Sequence, residues 1–155
     1  MEEYMLLKEK TPAPDFSLAD ETGQVRKLSD YEGKLVLLYF YPKDDTPGCT
    51  TEACSLRDDY SAYEKAGVVI LGVSADTVAS HKKFKQKYHL PFSLLADVDH
   101  KVCEAYGVWA RKKLMGREYM GILRTSYLIG TDGMIRKVFP DVKPSEHSKE
   151  VLASV

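Results

Sequence analysis

Residues 46–58 read TPGCTTEACSLRD and hold two of the three cysteines of the chain, Cys49 and Cys54, five positions apart. Cys-x4-Cys is neither the two-residue spacing of a dithiol redox pair nor that of a zinc half-site. Cys49 stands where a loop with proline and glycine, residues 43–48, runs into a segment of helical spacing. That loop follows the apolar run LVLLYFY, and in open α/β sheets chemistry collects at the C-terminal ends of the strands. A thiol in the first turn of a helix meets unpaired N–H groups and partial positive charge, both of which stabilise the nucleophilic thiolate.

A cysteine taken alone is more often a small buried hydrophobe. Three features of the loop argue for reactivity at Cys49. Pro42 and Pro47 stiffen the backbone, Thr46 brings a hydroxyl near the thiol, and Gly48 permits close backbone approach. Asp44 and Asp45 oppose a thiolate. They are expected either to point into solvent or to be offset by a cation.

The elements that must position this loop are legible in outline. FSLAD and VRKL, separated by a turn at residues 21–23, predict an N-terminal hairpin. Residues 35–41 predict a strand buried on both faces. Apolar positions at Ala53, Leu56, Tyr60, Tyr63 and Ala66 predict one helix over residues 50–66, stopped by Gly67. VVILGVSA predicts a second buried strand, residues 80–90 a basic helix, residues 92–96 a short strand, and residues 100–106 a short helix. RTSYLI and MIRKVF flank a Gly-Thr-Asp-Gly turn as a second hairpin, and a closing helix begins near Pro144. Crossover units demand parallel strands and hairpins add antiparallel ones. This order fits a thioredoxin-like α/β fold, a mixed central sheet flanked by helices with an N-terminal β-hairpin. Periodicity alone would also admit a flavodoxin-like sheet.

The 155 residues suit one domain, residues 1–155, without repeats or linkers. With 22 basic and 23 acidic residues the net charge is −1, which gives no reason to expect a nucleic-acid or membrane partner. The longest apolar stretch falls far short of the ~20 residues that cross a bilayer. The acidic N-terminus does not read as a signal peptide, and an odd number of cysteines argues against a secreted disulfide scaffold. A cytoplasmic location is expected.

At Pro42-x-x-x-Thr46-x-x-Cys49 the chain resembles the peroxiredoxins, thiol peroxidases of thioredoxin-like fold. FYPKDDTPGCTTEACSLRD is similar to their bacterioferritin-comigratory-protein, or peroxiredoxin Q, branch. The likeness continues through GVSAD, LLADVDHKVCEAYGVW and MGILRTSYLIGTDG. The resemblance implies that Cys49 attacks a peroxide oxygen and becomes a sulfenic acid, and that Cys54 resolves it as a disulfide. It implies that Thr46 orients the peroxide, that Pro42 shields the site from water, and that Arg124 holds thiolate and substrate. It further implies that Glu52 orients that arginine. The N–H groups of Gly48 and Cys49, with Arg124 and Thr46, are donors for charge spread along the S···O···O line. Arg124 would also be the cation that Asp44 and Asp45 require. Outside the motif, an arginine at a strand end is usually solvated, and Lys43, Arg57, Lys112 and Lys113 are read as surface charges.

Residues five apart in an α-helix rise ~7.5 Å and turn ~140°, which separates their Cα atoms by about 8.6 Å. A disulfide needs them within ~7 Å. If Cys54 resolves Cys49, the helix must unwind first, and the β-branched Thr50 and Thr51 make that easier. Otherwise Cys54 is packing and resolution falls to Cys103 or an external thiol. Cys103 itself reads as a buried, inert thiol.

No histidine pair has metal-ligand spacing, so zinc is not expected. No cofactor is expected either, because Gly116, Gly121 and Gly130 form no phosphate loop. The expected function is reduction of hydrogen peroxide and organic hydroperoxides by a monomer recycled by thioredoxin or a similar dithiol. The alternatives are a thiol-disulfide oxidoreductase, which the lack of Cys-x-x-Cys weakens, and a peroxide-sensing redox switch.

Overall fold

In the run LVLLYFY each residue must find an apolar neighbour, and the computed structural model, which describes residues 6–155, provides one on both faces. Strand β3 (Leu35–Phe40) lies inside a seven-stranded sheet. Leu37, Tyr39 and Tyr41 enter one core with Ala53, Leu56, Tyr63 and Phe84. Val36, Leu38 and Phe40 enter the other with Tyr106, Val108 and Tyr127. The start of the N-terminal stretch read as no signal peptide, residues 1–5, lies outside the described residues.

The sheet begins with the expected hairpin, β1 (Ser17–Ala19) and β2 (Val25–Lys27). Strands β4 (Val68–Ser74) and β5 (Ser93–Ala96) run parallel to β3, whereas β8 (Thr125–Ile129) is antiparallel to β3 and β9 (Ile135–Phe139) is antiparallel to β8. The spatial order is β2-β1-β5-β4-β3-β8-β9. This is the mixed, thioredoxin-like sheet the element order implied. Helix α3 (Val78–Tyr88) crosses from β4 to β5, α4 (Lys101–Ala105) follows β5, and α5 (His147–Leu152) closes the described chain.

Two features depart from the expected elements. The helix anticipated over residues 50–66 is two: α1 (Pro47–Asp58) and α2 (Tyr60–Lys65), broken at Asp59 with φ −97° and ψ 8°. Asp59 is held from outside the helix, accepting from Ser148 Oγ at 2.6 Å and Lys149 Nζ at 2.8 Å. Tertiary hydrogen bonds thus override a continuous apolar period. The second departure is a separate two-stranded hairpin, β6 (Trp109–Leu114) and β7 (Arg117–Ile122), which no sequence reading anticipated. Its turn places Met115 and Gly116 at φ 52° and 80°, the doubly positive geometry of a tight primed turn. No described helix is long and apolar enough to cross a membrane.

Candidate active site

The sheet register brings the two separated halves of the motif together. Phe40 at the end of β3 pairs with Thr125 at the start of β8. Arg124 therefore stands one residue beyond that end, beside the loop that leads from Tyr41 to Cys49. Thr46 caps α1 in extended conformation and Pro47 opens it, a position where its missing N–H is no loss. Gly48 and Cys49 follow as the second and third helical residues, whose N–H groups have no intrahelical acceptor.

Cys49 is buried, with 1% of its surface exposed. Arg124 Nη2 donates to its sulfur at 3.4 Å, and Nη1 donates to Glu52 Oε1 at 2.9 Å. One planar guanidinium thus spans a thiol and a carboxylate one helical turn apart. Gly48 makes room for it: a Cβ there would lie 3.0 Å from Arg124 Nη2. Thr46 donates its hydroxyl proton to the Lys43 carbonyl at 2.8 Å, so it is not the donor expected from the sequence; its oxygen is left to accept a hydrogen bond from a bound molecule. Pro42 is half-buried where β3 ends.

Glu52 is almost wholly enclosed, and burial pushes its carboxyl up to about 7 against the opposing pull of Arg124. Its Oε2 and the Tyr39 hydroxyl are buried without hydrogen-bond partners among the described residues. Arg124 is pushed up by the Cys49 and Glu52 contacts, which outweigh its burial.

Cys54, part-exposed, lies in the same unbroken α1 as Cys49, and all three cysteines are free. Cys103 is fully buried, and burial drives its thiol far above the ordinary range.

The acidic pair corrects an expectation. Asp44 does not face solvent and Arg124 does not offset it. It is buried, accepting from Tyr41 Oη at 2.6 Å and Ser80 Oγ at 2.8 Å, with His81 Nδ1 at 2.7 Å from its Oδ2. Asp45, at φ 55°, accepts from Lys87 Nζ and Tyr88 Oη, both at 2.8 Å. Helix α3 therefore holds both acids of the loop. No sequence signal connects residues 37 positions apart, although Asp44 and His81 are both close to apolar runs.

Two residues read as surface charges are also not free. Arg57 Nη1 donates to the Tyr88 carbonyl at 2.7 Å. Lys112 is half-buried and donates to the Ile122 carbonyl at 2.9 Å, and burial, helped by the charge of Arg124, pushes its amine below the ordinary range.

Fold and site together define a thioredoxin-like protein that presents a helix-borne thiol beneath an arginine at the end of a central strand. Residues 10–138 match the AhpC/TSA family. The putative peroxiredoxin Bcp of Coxiella burnetii is 54% identical over 140 residues, covering 90% of this chain and 93% of that protein. Peroxiredoxin Bcp of Bacillus subtilis is 50% identical over 143 residues, 92% of this chain and 91% of that one. Among solved structures, the bacterioferritin comigratory protein of Xanthomonas campestris, studied for alkyl peroxide reduction, superposes with a TM-score of 0.87 at 34% identity. The match covers 98% of this chain and 96% of that one. The chain belongs to the AhpC/TSA family, in its peroxiredoxin Bcp branch, and is a thiol-dependent peroxidase.

Proposed function

We propose that Cys49 is the peroxidatic residue and that Cys54 resolves it. The observation that carries this reading is the Arg124 bridge, 3.4 Å from the Cys49 sulfur and 2.9 Å from Glu52. A guanidinium there stabilises the thiolate and faces the oxygen that develops charge as the peroxide bond breaks. The Cys49 thiolate attacks one peroxide oxygen, the O–O bond breaks, and the leaving oxygen takes a proton to depart as water or an alcohol. Cys49 is oxidised to a sulfenic acid. Thr46 accepts the hydrogen bond of the incoming peroxide, the Gly48 and Cys49 N–H groups donate to it, and Pro42 limits water. The Xanthomonas campestris relative, studied for alkyl peroxide reduction, supports organic hydroperoxides as substrates beside hydrogen peroxide.

Resolution requires motion. An intact helix holds Cα atoms five residues apart at about 8.6 Å, beyond the ~7 Å limit of a disulfide. The stretch CTTEAC must therefore unwind before the Cys54 sulfur can attack the Cys49 sulfenic acid, which releases water and forms the disulfide. An external dithiol, thioredoxin or a protein like it, then takes the disulfide back to two thiols.

Peroxide consumption with a thioredoxin system tests the assignment. Cys49→Ser abolishes it, and Cys54→Ser keeps one stoichiometric oxidation but loses turnover. Mass-spectrometric mapping of the oxidised protein is expected to show Cys49 joined to Cys54, and hydrogen exchange to show lost protection over residues 49–54. A Cys49–Cys103 bond, or full turnover by Cys54→Ser, overturns the resolving role. Full activity of Cys49→Ser overturns the whole reading.

A further inference from the structure

Against the Cys49 loop lies a largely buried polar cluster that the steps above do not use. Its members come from four elements. Tyr41 stands at the end of β3, Asp44 in the loop, Ser74 and Asp76 at the end of β4, and Ser80 and His81 on α3. The candidate ligand atoms of Asp44, Asp76 and His81 lie within 4.8 Å of one another, but protein hydrogen bonds already engage them. Asp76 Oδ2 accepts from the Asp44 N–H at 2.8 Å and from Ser74 Oγ at 2.6 Å.

The hydrogen bonds count the protons. His81 Nε2 lies 3.0 Å from the Leu95 carbonyl, which can only accept, so Nε2 carries a hydrogen. Its Nδ1 lies 2.7 Å from Asp44 Oδ2. If the ring is neutral and the carboxylate ionised, two acceptors face each other at that distance. A proton must therefore lie between them, on the ring or on the carboxyl. The Tyr41 hydroxyl donates to Asp44 Oδ1 and the Ser80 hydroxyl to Oδ2, so both carboxyl oxygens accept hydrogen bonds from elsewhere in the cluster as well.

We propose that Asp44 and His81 share one buried proton and, as a pair of zero net charge, serve as positioning residues for the loop that carries Thr46 and Cys49. The loop needs an acidic residue to tie it at once to β3, to α3 and, through its N–H, to the end of β4. An unneutralised carboxylate so near in sequence to Cys49 would disfavour the thiolate. The shared proton removes that charge while keeping every hydrogen bond. Asp76 is the other charged group bonded into the cluster, and it meets the Asp44 backbone rather than the shared proton.

This inference rests on the reading of Cys49 as nucleophile, and the test separates the two. In the wild-type protein, nuclear magnetic resonance of labelled histidine and aspartate near neutral pH is expected to find one proton on the pair. It appears either as a doubly protonated His81 ring or as a protonated Asp44 carboxyl. A neutral ring beside an ionised Asp44 overturns the proposal, whatever Cys49 does. His81→Leu leaves the carboxylate without its proton partner. Peroxide consumption near neutral pH is then expected to fall about tenfold, with the pH profile displaced upward by about one unit. Adding Asp44→Asn to that variant removes the stranded charge and is expected to return the profile toward wild type. A double variant as slow as His81→Leu, or slower, reduces the pair to packing and overturns the proposal. If Cys49→Ser were fully active, the nucleophile reading would fail while the resonance result still decided the proton.

Discussion

Replacing Glu52 by Gln tests the electrostatics beneath Arg124. Burial pushes the Glu52 carboxyl up to about 7 from its ordinary 4.5, and Arg124 recovers only part of that cost. The cause is local: Oε1 has the guanidinium, whereas Oε2 is enclosed without a partner among the described residues. The folded chain thus holds this proton more tightly than the unfolded chain does. The resulting stability is fully present below pH 4.5 and is lost as pH rises through about 7. A difference of that size corresponds to about 3 kcal/mol once ionisation is complete. Gln keeps the shape of Glu and an oxygen for Arg124 but cannot ionise. Urea unfolding of both proteins from about pH 5 to about pH 8 reads the effect, because other titrations cancel in the difference. His147, whose imidazole burial holds below its ordinary range, is one such group. The wild type is expected to lose stability relative to the Gln variant by about 2.5 kcal/mol across that interval, the rest having been lost below about pH 5. Parallel curves would refute the argument, since they would mean that Glu52 ionises alike in both states.

Three further outcomes follow from the geometry. Arg124→Ala should slow the first oxidation about 100-fold in stopped-flow mixing with peroxide, and an unchanged rate would assign the charge stabilisation to another cation. Gly48→Ala places a Cβ 3.0 Å from Arg124 Nη2 and should lower kcat/KM about tenfold by displacing the guanidinium, with thermal unfolding little altered. Wild-type kinetics would show that the arginine has slack. Cys103→Ser should retain full peroxide turnover, since that thiol is buried and held far from ionisation. The native protein should likewise resist alkylation at this position, and rapid labelling there would contradict its inertness.

The sequence carried the site where chemistry is local and lost it where contact is distant. Cys49, Thr46 and Gly48 are readable because a loop, a helix start and a strand end are contiguous. Arg124 needed the family resemblance, since only the pairing of Phe40 with Thr125 brings it to Cys49. The fold was legible because β3 and β4 are apolar on both faces. The β6–β7 hairpin was not, because ARKKL and REYMG point mostly into solvent and show no clean alternation. Gly116, at a positive φ between two strands, was the available clue. The partners of Asp44 and Asp59 come from α3 and from the start of α5, and no periodicity encodes such meetings.

The interruption at Asp59 sets a limit on what oxidation can disturb. Helical order is cooperative, and isolated segments below about 12–15 residues are marginal in water. Had the run continued unbroken into α2, melting begun at Cys49 could have travelled along it into the packing beneath the sheet. Instead α1 is a 12-residue unit with its own end. Beyond it, α2 is pinned through the Tyr63 hydroxyl, which donates to the Ser148 carbonyl at 2.9 Å. In the proposed cycle the break works as a firebreak: one short segment is expendable at each turnover, and the intact scaffold on its far side is the template on which it re-forms.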